Sequence, residues 1–407
     1  LVDQQAGFMS AFEHVLTSGT YRQNQHERIM ACLLGYGTNY GIGKIAEISD
    51  LDYPQLVTTA HNYLRLETLQ EANKRIIDKT TELAMFANYK VEGQIHSSSD
   101  GQKYATQFHN INSRYSPKYF GLSKGIAAYT LVAGNLIVNG RMIGANEHES
   151  HYVFDLIYNN ITSLDPDIHS TDQHGVNKVN FAILDMFGYS FAPRYANINS
   201  KSKLIYSFEH PIKYRDYALK PVRKLDPQLI IDEWDNMQRI YASLALKSTT
   251  QSTIIRKLSS YPRNNRTRKA MAEYDATVQT DFVLRYLDSP ALQHQIEFVL
   301  NRGENVNRLR KHIFHANGGR FRVHSVAEQQ VWSECTRLIA NAMIYYNTWL
   351  LSELLIAKQA VGDFEAVEKI KRISPIAWQH IHIHGRYQFL IDKPVIDMIK
   401  MIQNVII

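Results

Sequence analysis

The period of the hydrophobic pattern changes from helical to alternating at Val91, and this limits the possible folds more than any other feature. Before it, apolar residues recur at helical spacing from Phe8 through Leu16 and from Ile29 to Leu34. A further helix is expected from about Tyr53 to Ala87, broken once. After it the pattern alternates. Strands are expected at Gly93–Ser98, Tyr119–Ala133 and Leu136–Ile143, with Ala133-Gly134-Asn135 as a turn. A second turn signal, Asn139-Gly140, predicts that the third strand is split or tightly bent. A helix in GANEHESHYVFDLIYNN, a strand at Asp167–Thr171, a helix at Asn177–Phe187 and a strand at Tyr189–Tyr195 follow. An antiparallel start followed by parallel crossovers predicts a mixed α/β sheet.

The pattern is helical again from Asp226 to about His315, with breaks at Ser259–Asn265 and Asp288-Ser289-Pro290. It stays helical to about Lys371, and a last short helix is expected at Ile391–Asn404. At 407 residues and 44% hydrophobic, the chain can bury two or three domain-sized cores. Its most apolar stretch, Leu338 to Val361, is interrupted by Asn341, Asn347, Ser352, Glu353 and Lys358, so it reads as a buried helix rather than a membrane span. Cys32 and Cys335, the only thiols, are far apart in sequence, which argues against a disulfide scaffold and fits a reducing cytoplasm. The opening LVDQQAG has no initiator Met and starts mid-pattern, as a piece of a longer or processed chain would.

The formal net charge is only +6, but its distribution is uneven. Between Asn236 and Ala272 there is no acid, yet there are Arg239, Lys247, Arg256, Lys257, Arg263, Arg266, Arg268 and Lys269. A second stretch holds Arg302, Arg308, Arg310, Lys311, Arg320 and Arg322, with Glu304 its only acid. Two such positive fields suit a polyanion, although each is also what a solvated helix face looks like.

Two carboxylates occupy equivalent places. Asp100 in HSSSDGQ is expected to end the first strand on a turn that Gly101 keeps open, and Asp172 in HSTDQHG to end the fourth. Each is preceded by His-Ser and small hydroxyl residues. If the two strands are neighbours, both carboxylates emerge at one edge, where hard cations such as Mg²⁺ find oxygen ligands. Asp165 and Asp167, in LDPDIH, are rivals better suited to turns. A third acid could be Glu304, in LNRGENVNRLRK, although on spacing alone an i,i+4 ion pair with Arg308 explains it slightly better.

Other motifs carry less. The glycines at 35, 37, 41 and 43 resemble a phosphate loop but lack its spacing, since Thr38 stands five before Gly43 and Ile45 follows Lys44. Glu147-His148-Glu149-Ser150-His151 is not a zinc helix, and its acids fit a helix start. His380, His382 and His384 alternate along an expected strand, roughly 7 Å apart on one face and too far to share a zinc ion unaided.

The segments HSSSDGQKYATQ, RYSPKYFGLSKGIAAYTLVA, IGANEHESHYVFD, DPDIHSTDQHGVNKVNFAILDMFGYSFAPR, LNRGE, NAMIYYNTWLLSE and SPIAWQHIHIHG together resemble, in order and over essentially the whole chain, the C-terminal catalytic region of the Tn-three family of bacterial replicative transposases. The resemblance implies a DDE transposase with an RNase H-like mixed sheet core, a large helical insertion and flanking helices. It puts the acidic triad on Asp100, Asp172 and Glu304, holding two Mg²⁺, with Mn²⁺ as substitute. The 132 residues from Asp172 to Glu304 leave room for an inserted subdomain. The implied divisions are a helical flank at 1–90, the core with both Asp at 91–200, a basic insertion at 201–290 lying over DNA, and the Glu-bearing helix with a C-terminal helical region at 291–407. Implied DNA contacts are Arg266, Arg268, Lys269, Lys103, Arg302, His174 and Asn177, with Gln102 beside them.

The implied reaction begins with water attacking the phosphodiester at each transposon end and freeing a 3′-OH. That hydroxyl then attacks target DNA, and because only the 3′ ends are cut, replication yields a cointegrate. Double-stranded DNA is the implied partner, as transposon ends and as target, with a homodimer in the active complex and no membrane association. Two alternatives accompany this reading: a nuclease of the same fold that cuts without joining, and a non-catalytic DNA-binding or dimerisation scaffold.

Overall fold

The computed structural model describes residues 1–16, 25–172, 175–195, 204–260, 262 and 265–389. His174, Arg263 and the helix expected at Ile391–Asn404 lie outside the described residues.

The sheet comprises β1 (His96–Ala105), the two-residue β2 (Arg114–Tyr115), β3 (Lys124–Ala133), β4 (Leu136–Gly144), β5 (Ile168–Ser170) and β6 (Ser190–Phe191). β3 pairs antiparallel with both β1 and β4, and β5 and β6 follow β1 in parallel, so the sheet is mixed. Two strand expectations are corrected. The segment before Lys124 is not strand: Pro117–Phe120 makes one helical turn and Gly121, at φ 57°, ends it. β4 is not split at Asn139-Gly140. It continues to Gly144, with a bulge just before that dipeptide: Val138 is an extra residue between the pairs Leu131–Asn139 and Val132–Ile137. Asn139 instead donates its side-chain amide to the Leu156 carbonyl.

The helices are α1 (Val2–Ala6), α2 (His26–Gly37), α3 (Gly41–Glu47), α4 (Tyr53–Tyr63), α5 (Leu66–Thr81), α6 (Pro117–Phe120), α7 (Val153–Tyr158), α8 (Asn180–Met186), α9 (Pro227–Asp232), α10 (Trp234–Ala245), α11 (Gln251–Ser260), α12 (Arg266–Asp288), α13 (Pro290–Ile313), α14 (Val326–Ala360) and α15 (Phe364–Lys371). The break at 288–290 is a cap: Ser289 accepts from the Leu292 N–H and Pro290 opens α13. None of these helices is long and apolar enough to cross a membrane.

Two large apolar clusters share α14. One gathers the sheet, α7, α8 and the helices of residues 226–313. The other gathers α2–α5 with Cys335, Leu338, Tyr345 and Trp349 of α14. Gly37 permits the tightest of these contacts, since a Cβ there would lie 2.4 Å from Ile339 Cδ1 and 3.1 Å from the Cys335 backbone. Gly35 likewise lies close to Ile45 of α3, whereas Gly41 takes a left-handed backbone at φ 78°. At the middle of α14, buried Asn341 accepts from the Ile137 N–H of β4 at 2.9 Å. Its amide donates to the Ile137 carbonyl at 3.0 Å and to Asn73 Oδ1 of α5 at 3.1 Å. One side chain thus ties the helical flank to the sheet.

The C-terminal histidines are also corrected. Residues 378–386 form bends and turns rather than a strand, and α14 anchors the chain just before them, where Asn347 donates to the carbonyls of Pro375 and Ala377. His380 bonds Asn347 Oδ1 at 2.9 Å, whereas His384 packs on His315, so these two imidazoles have separate partners.

Candidate active site

Asp100 does not end a strand. It lies in the middle of β1, which continues to Ala105, and Gly101 is not in a left-handed turn. The strand continues because β3 pairs with it as far as Ala105, with Asp100 opposite Thr130. The role of Gly101 is space. A Cβ there would lie 2.0 Å from Glu149 Oε1.

The faces of β1 are set by alternation. Ser98, Asp100, Gln102 and Tyr104 all meet α13 or the chain just after it: Ser98 Oγ donates to the Val299 carbonyl, Asn307 Nδ2 donates to Asp100 Oδ2, Gln102 donates to the Asn307 carbonyl, and Tyr104 packs edge-on against Phe314. Two residues of strand advance about 6.7 Å and four residues of helix about 6.0 Å, so 98, 100 and 102 keep pace with 299, 303 and 307. Gly303 lies close against β1, since a Cβ there would be 3.1 Å from Ser98 Oγ. Glu304, next in the chain and exposed, is thereby brought to Asp100.

The register supplies the second acid. β1 and β5 align Ser98 with Ser170, and two residues further on Asp172 stands beside Asp100. Beneath the acids, the His-Ser pairs interlock. His96 Nε2 lies 2.7 Å from Ser170 Oγ, Ser97 Oγ lies 2.8 Å from His169 Nδ1, and Ser99 Oγ lies 2.9 Å from His169 Nε2. Burial pushes both imidazoles down, His96 to about 4 and His169 to about 3, so both are neutral at physiological pH.

Asp100, Asp172 and Glu304 border one small cleft of about 60 Å³, with Ser98, Ser99, Arg194, Leu300 and Gly303. A roomier hollow of about 290 Å³ beside α10 and α11 has no carboxylate in its lining. Asp100 is half-buried, and its pKa is pushed up to about 6, first by lost solvation and then by the negative charges of Glu149 and Asp172. The Gly101 N–H and Lys103 oppose the shift. Such crowding of carboxylates suits a hard divalent cation in donor type and charge. In the present side-chain positions, no three His, Cys, Asp or Glu among the described residues are grouped to hold one ion.

The remaining expected contacts are placed as follows. Lys103 pairs with Glu149 at 2.7 Å, both side chains largely buried. Asn177 donates to the Ser150 carbonyl and supports the turn that carries Glu149. The Arg302 guanidinium donates to the Tyr89 carbonyl and stacks over Phe298, so it braces α13 against the flank. Arg266 pairs with Asp232 and Glu233. Lys269 is exposed and Arg268 half-buried on the first turn of α12.

Three residues at the site escape a reading of the sequence: Asn307, Glu149 and Arg194. Glu149 is hidden in an acidic run that looks like a helix start, and its element is one turn of 3-10 helix, Glu149–His151. Arg194 offers one signal, its place just past the last strand, as Asp172 lies past β5.

A family model described as "Tn3 transposase DDE domain" matches residues 1–387. Among curated proteins, the chain is 28% identical over 405 residues to a transposase for transposon gamma-delta of Escherichia coli, covering 97% of this chain and 39% of that protein. It is 27% identical to a transposase for transposon Tn1546 of Enterococcus faecium, covering 96% and 39%, and 28% identical to a transposase for transposon Tn501 of Pseudomonas aeruginosa, covering 95% and 39%. The chain thus spans about two fifths of the length of these relatives. With nearly its whole length matched by that model, and three carboxylates around one cleft, the chain belongs to the Tn3 transposase DDE domain family.

Proposed function

We propose that this chain is the catalytic region of a DDE transposase, cutting the 3′ ends of a transposon and joining them to target DNA. The observation that carries the reading is the convergence of Asp100, Asp172 and Glu304 on one cleft in a chain of this family. The sheet order, with antiparallel β1, β3 and β4 followed by parallel β5 and β6, supports an RNase H-like core. Residues 201–290 are read as the inserted subdomain over DNA, with Arg266, Arg268 and Lys269 as phosphate contacts.

Asp100, Asp172 and Glu304 would hold two Mg²⁺, or Mn²⁺ in their place. When bound, these ions supply activation of the attacking oxygen and stabilisation of the leaving one. The chain's own residues do the rest. Asn307 and the Gly101 N–H each occupy one oxygen of Asp100 and so fix its carboxylate plane. The neutral His-Ser ladder holds β1 and β5 in register below the acids. Duplex DNA is the substrate, and two copies of the chain act on the two transposon ends.

The test is strand transfer from pre-cut transposon ends into a target plasmid. The wild-type chain yields joined product with Mg²⁺. Asp100→Asn abolishes nicking and joining while duplex binding survives. Hydrolysed ends without joined product would favour a nuclease, and undiminished nicking by the variant would remove Asp100 from the site.

A further inference from the structure

We propose that Arg194 is a further catalytic residue, binding the non-bridging oxygens of the phosphate that is cut. The inference rests on the phosphoryl-transfer reading above.

The parallel register places Arg194. β5 and β6 align His169 with Phe191, and three residues further on Arg194 stands beside Asp172. The backbone bonds follow the same alignment: Ala192 N–H donates to the His169 carbonyl and Arg194 N–H to the Thr171 carbonyl, both at 2.8 Å. Across three neighbouring strands the charges therefore run Asp100 in the middle of β1, Asp172 just past β5 and Arg194 just past β6. Arg194 lines the same cleft as the three acids.

The position is rigid on both sides. Pro193 restricts the backbone before it. After it, the Tyr195 ring packs on Phe282 and Tyr286 of α12, and Gln279 of that helix donates to the Tyr195 hydroxyl at 3.4 Å. Arg194 is half-buried, and on this backbone it can be presented to a ligand at little cost in backbone freedom. The ligand's chemistry follows from charge. Three carboxylates repel a phosphodiester, and a guanidinium fork at the outer end of their row matches two phosphate oxygens. The competing role is a counter-charge for Asp172 alone.

The experiment measures single-turnover cutting of duplex DNA by the chain with Mg²⁺. Arg194→Gln is expected to slow cutting by roughly 10²–10³-fold, as loss of a donor to developing charge does. Arg194→Lys, which restores charge but not the fork, recovers part of it. Binding is then compared in Ca²⁺ on two duplexes, one unmodified and one with a methylphosphonate at the phosphate that the wild type cuts. Arg194→Gln should weaken binding of the unmodified duplex about tenfold and of the modified one less than about twofold. Equal losses on both duplexes overturn the proposal. So does a tenfold change in Mn²⁺ affinity by calorimetry, or full rescue of cutting by lysine, either of which marks a positioning role through Asp172. Asp100→Asn separates the two readings. If it still cuts, the phosphoryl-transfer reading fails. If it is inactive while Arg194→Gln cuts normally, only the role of Arg194 fails.

Discussion

Ser97 and His169 face each other across the parallel ladder of β1 and β5, hydroxyl to Nδ1 at 2.8 Å, and His96 and Ser170 make the reciprocal contact. Both histidines are buried and held neutral, with pKa values pushed below the ordinary 6.5. The unfolded chain takes up protons at these positions once the pH falls below about 6.5, while the folded chain does so only near 4 and below. Stability is therefore fully present above 6.5 and falls as the pH drops toward 4, by at most about 1.4 kcal/mol per pH unit for each histidine. Urea unfolding at pH 7.5, 6 and 5 should give this slope, and His169→Gln should reduce it by about half. An unchanged slope in the variant would mean that the ladder is not the source.

Asp275 works in the opposite direction. It is buried on α12 and accepts from the Ala182 N–H in the first turn of α8, and lost solvation pushes its pKa up to about 7. A raised carboxyl pKa means that the fold favours the protonated form, so its contribution declines as the pH rises from about 4 to 7. Asp275→Asn removes that decline. Its stability should rise more steeply with pH across this window than the wild type's, in the same urea series.

Gly101→Ala drives a methyl group into the Glu149 carboxylate. The obstructing atoms are the end of a flexible side chain, so the fold should survive with a loss of roughly 1 kcal/mol. The Lys103–Glu149 pair cannot keep its place. Cutting should fall with little change in melting temperature. Adding Glu149→Ala to Gly101→Ala should cost little more, because both act on one side chain. Fully additive losses would show that Gly101 acts by another route.

Gly303 sets the distance between α13 and β1. Alanine there meets Ser98 Oγ at 3.1 Å, a contact that a hydroxyl rotation can relieve, and gains up to about 1 kcal/mol of helix propensity. Gly303→Ala should thus be near neutral in stability. Gly303→Leu has no such relief and pushes the Glu304 backbone away from the cleft. Cutting is expected to drop at least tenfold with helix content unchanged by circular dichroism, and Ser98→Ala should recover part of it.

The sequence is legible where one period dominates. The alternation after Val91 and the Ser289-Pro290 break give the strand order and the start of α13. The first strand was expected to stop at Asp100 because Ser-Asp-Gly is turn chemistry. β3 overrides that local signal by pairing through it, and the glycine answers to Glu149, 48 residues away in sequence. The same limit hides Arg194. Its relation to Asp172 exists only in the register of two parallel strands that a helix separates in the chain, and no spacing rule encodes it. Histidines at alternate positions read as strand, but His380 bonds to Asn347 of α14 while His384 packs on His315, so the alternation does not mark one face.

Asn341 has a mechanical consequence. At 35 residues, α14 is a rod roughly 50 Å long, and near its midpoint one amide grips β4 on one side and α5 on the other. Swinging the flank against the sheet would break the buried bond to Asn73 or, if α14 moved with the flank, the two bonds to Ile137. The helical flank and β4 are therefore coupled through one side chain, and a displacement of α5 loads the sheet at Ile137.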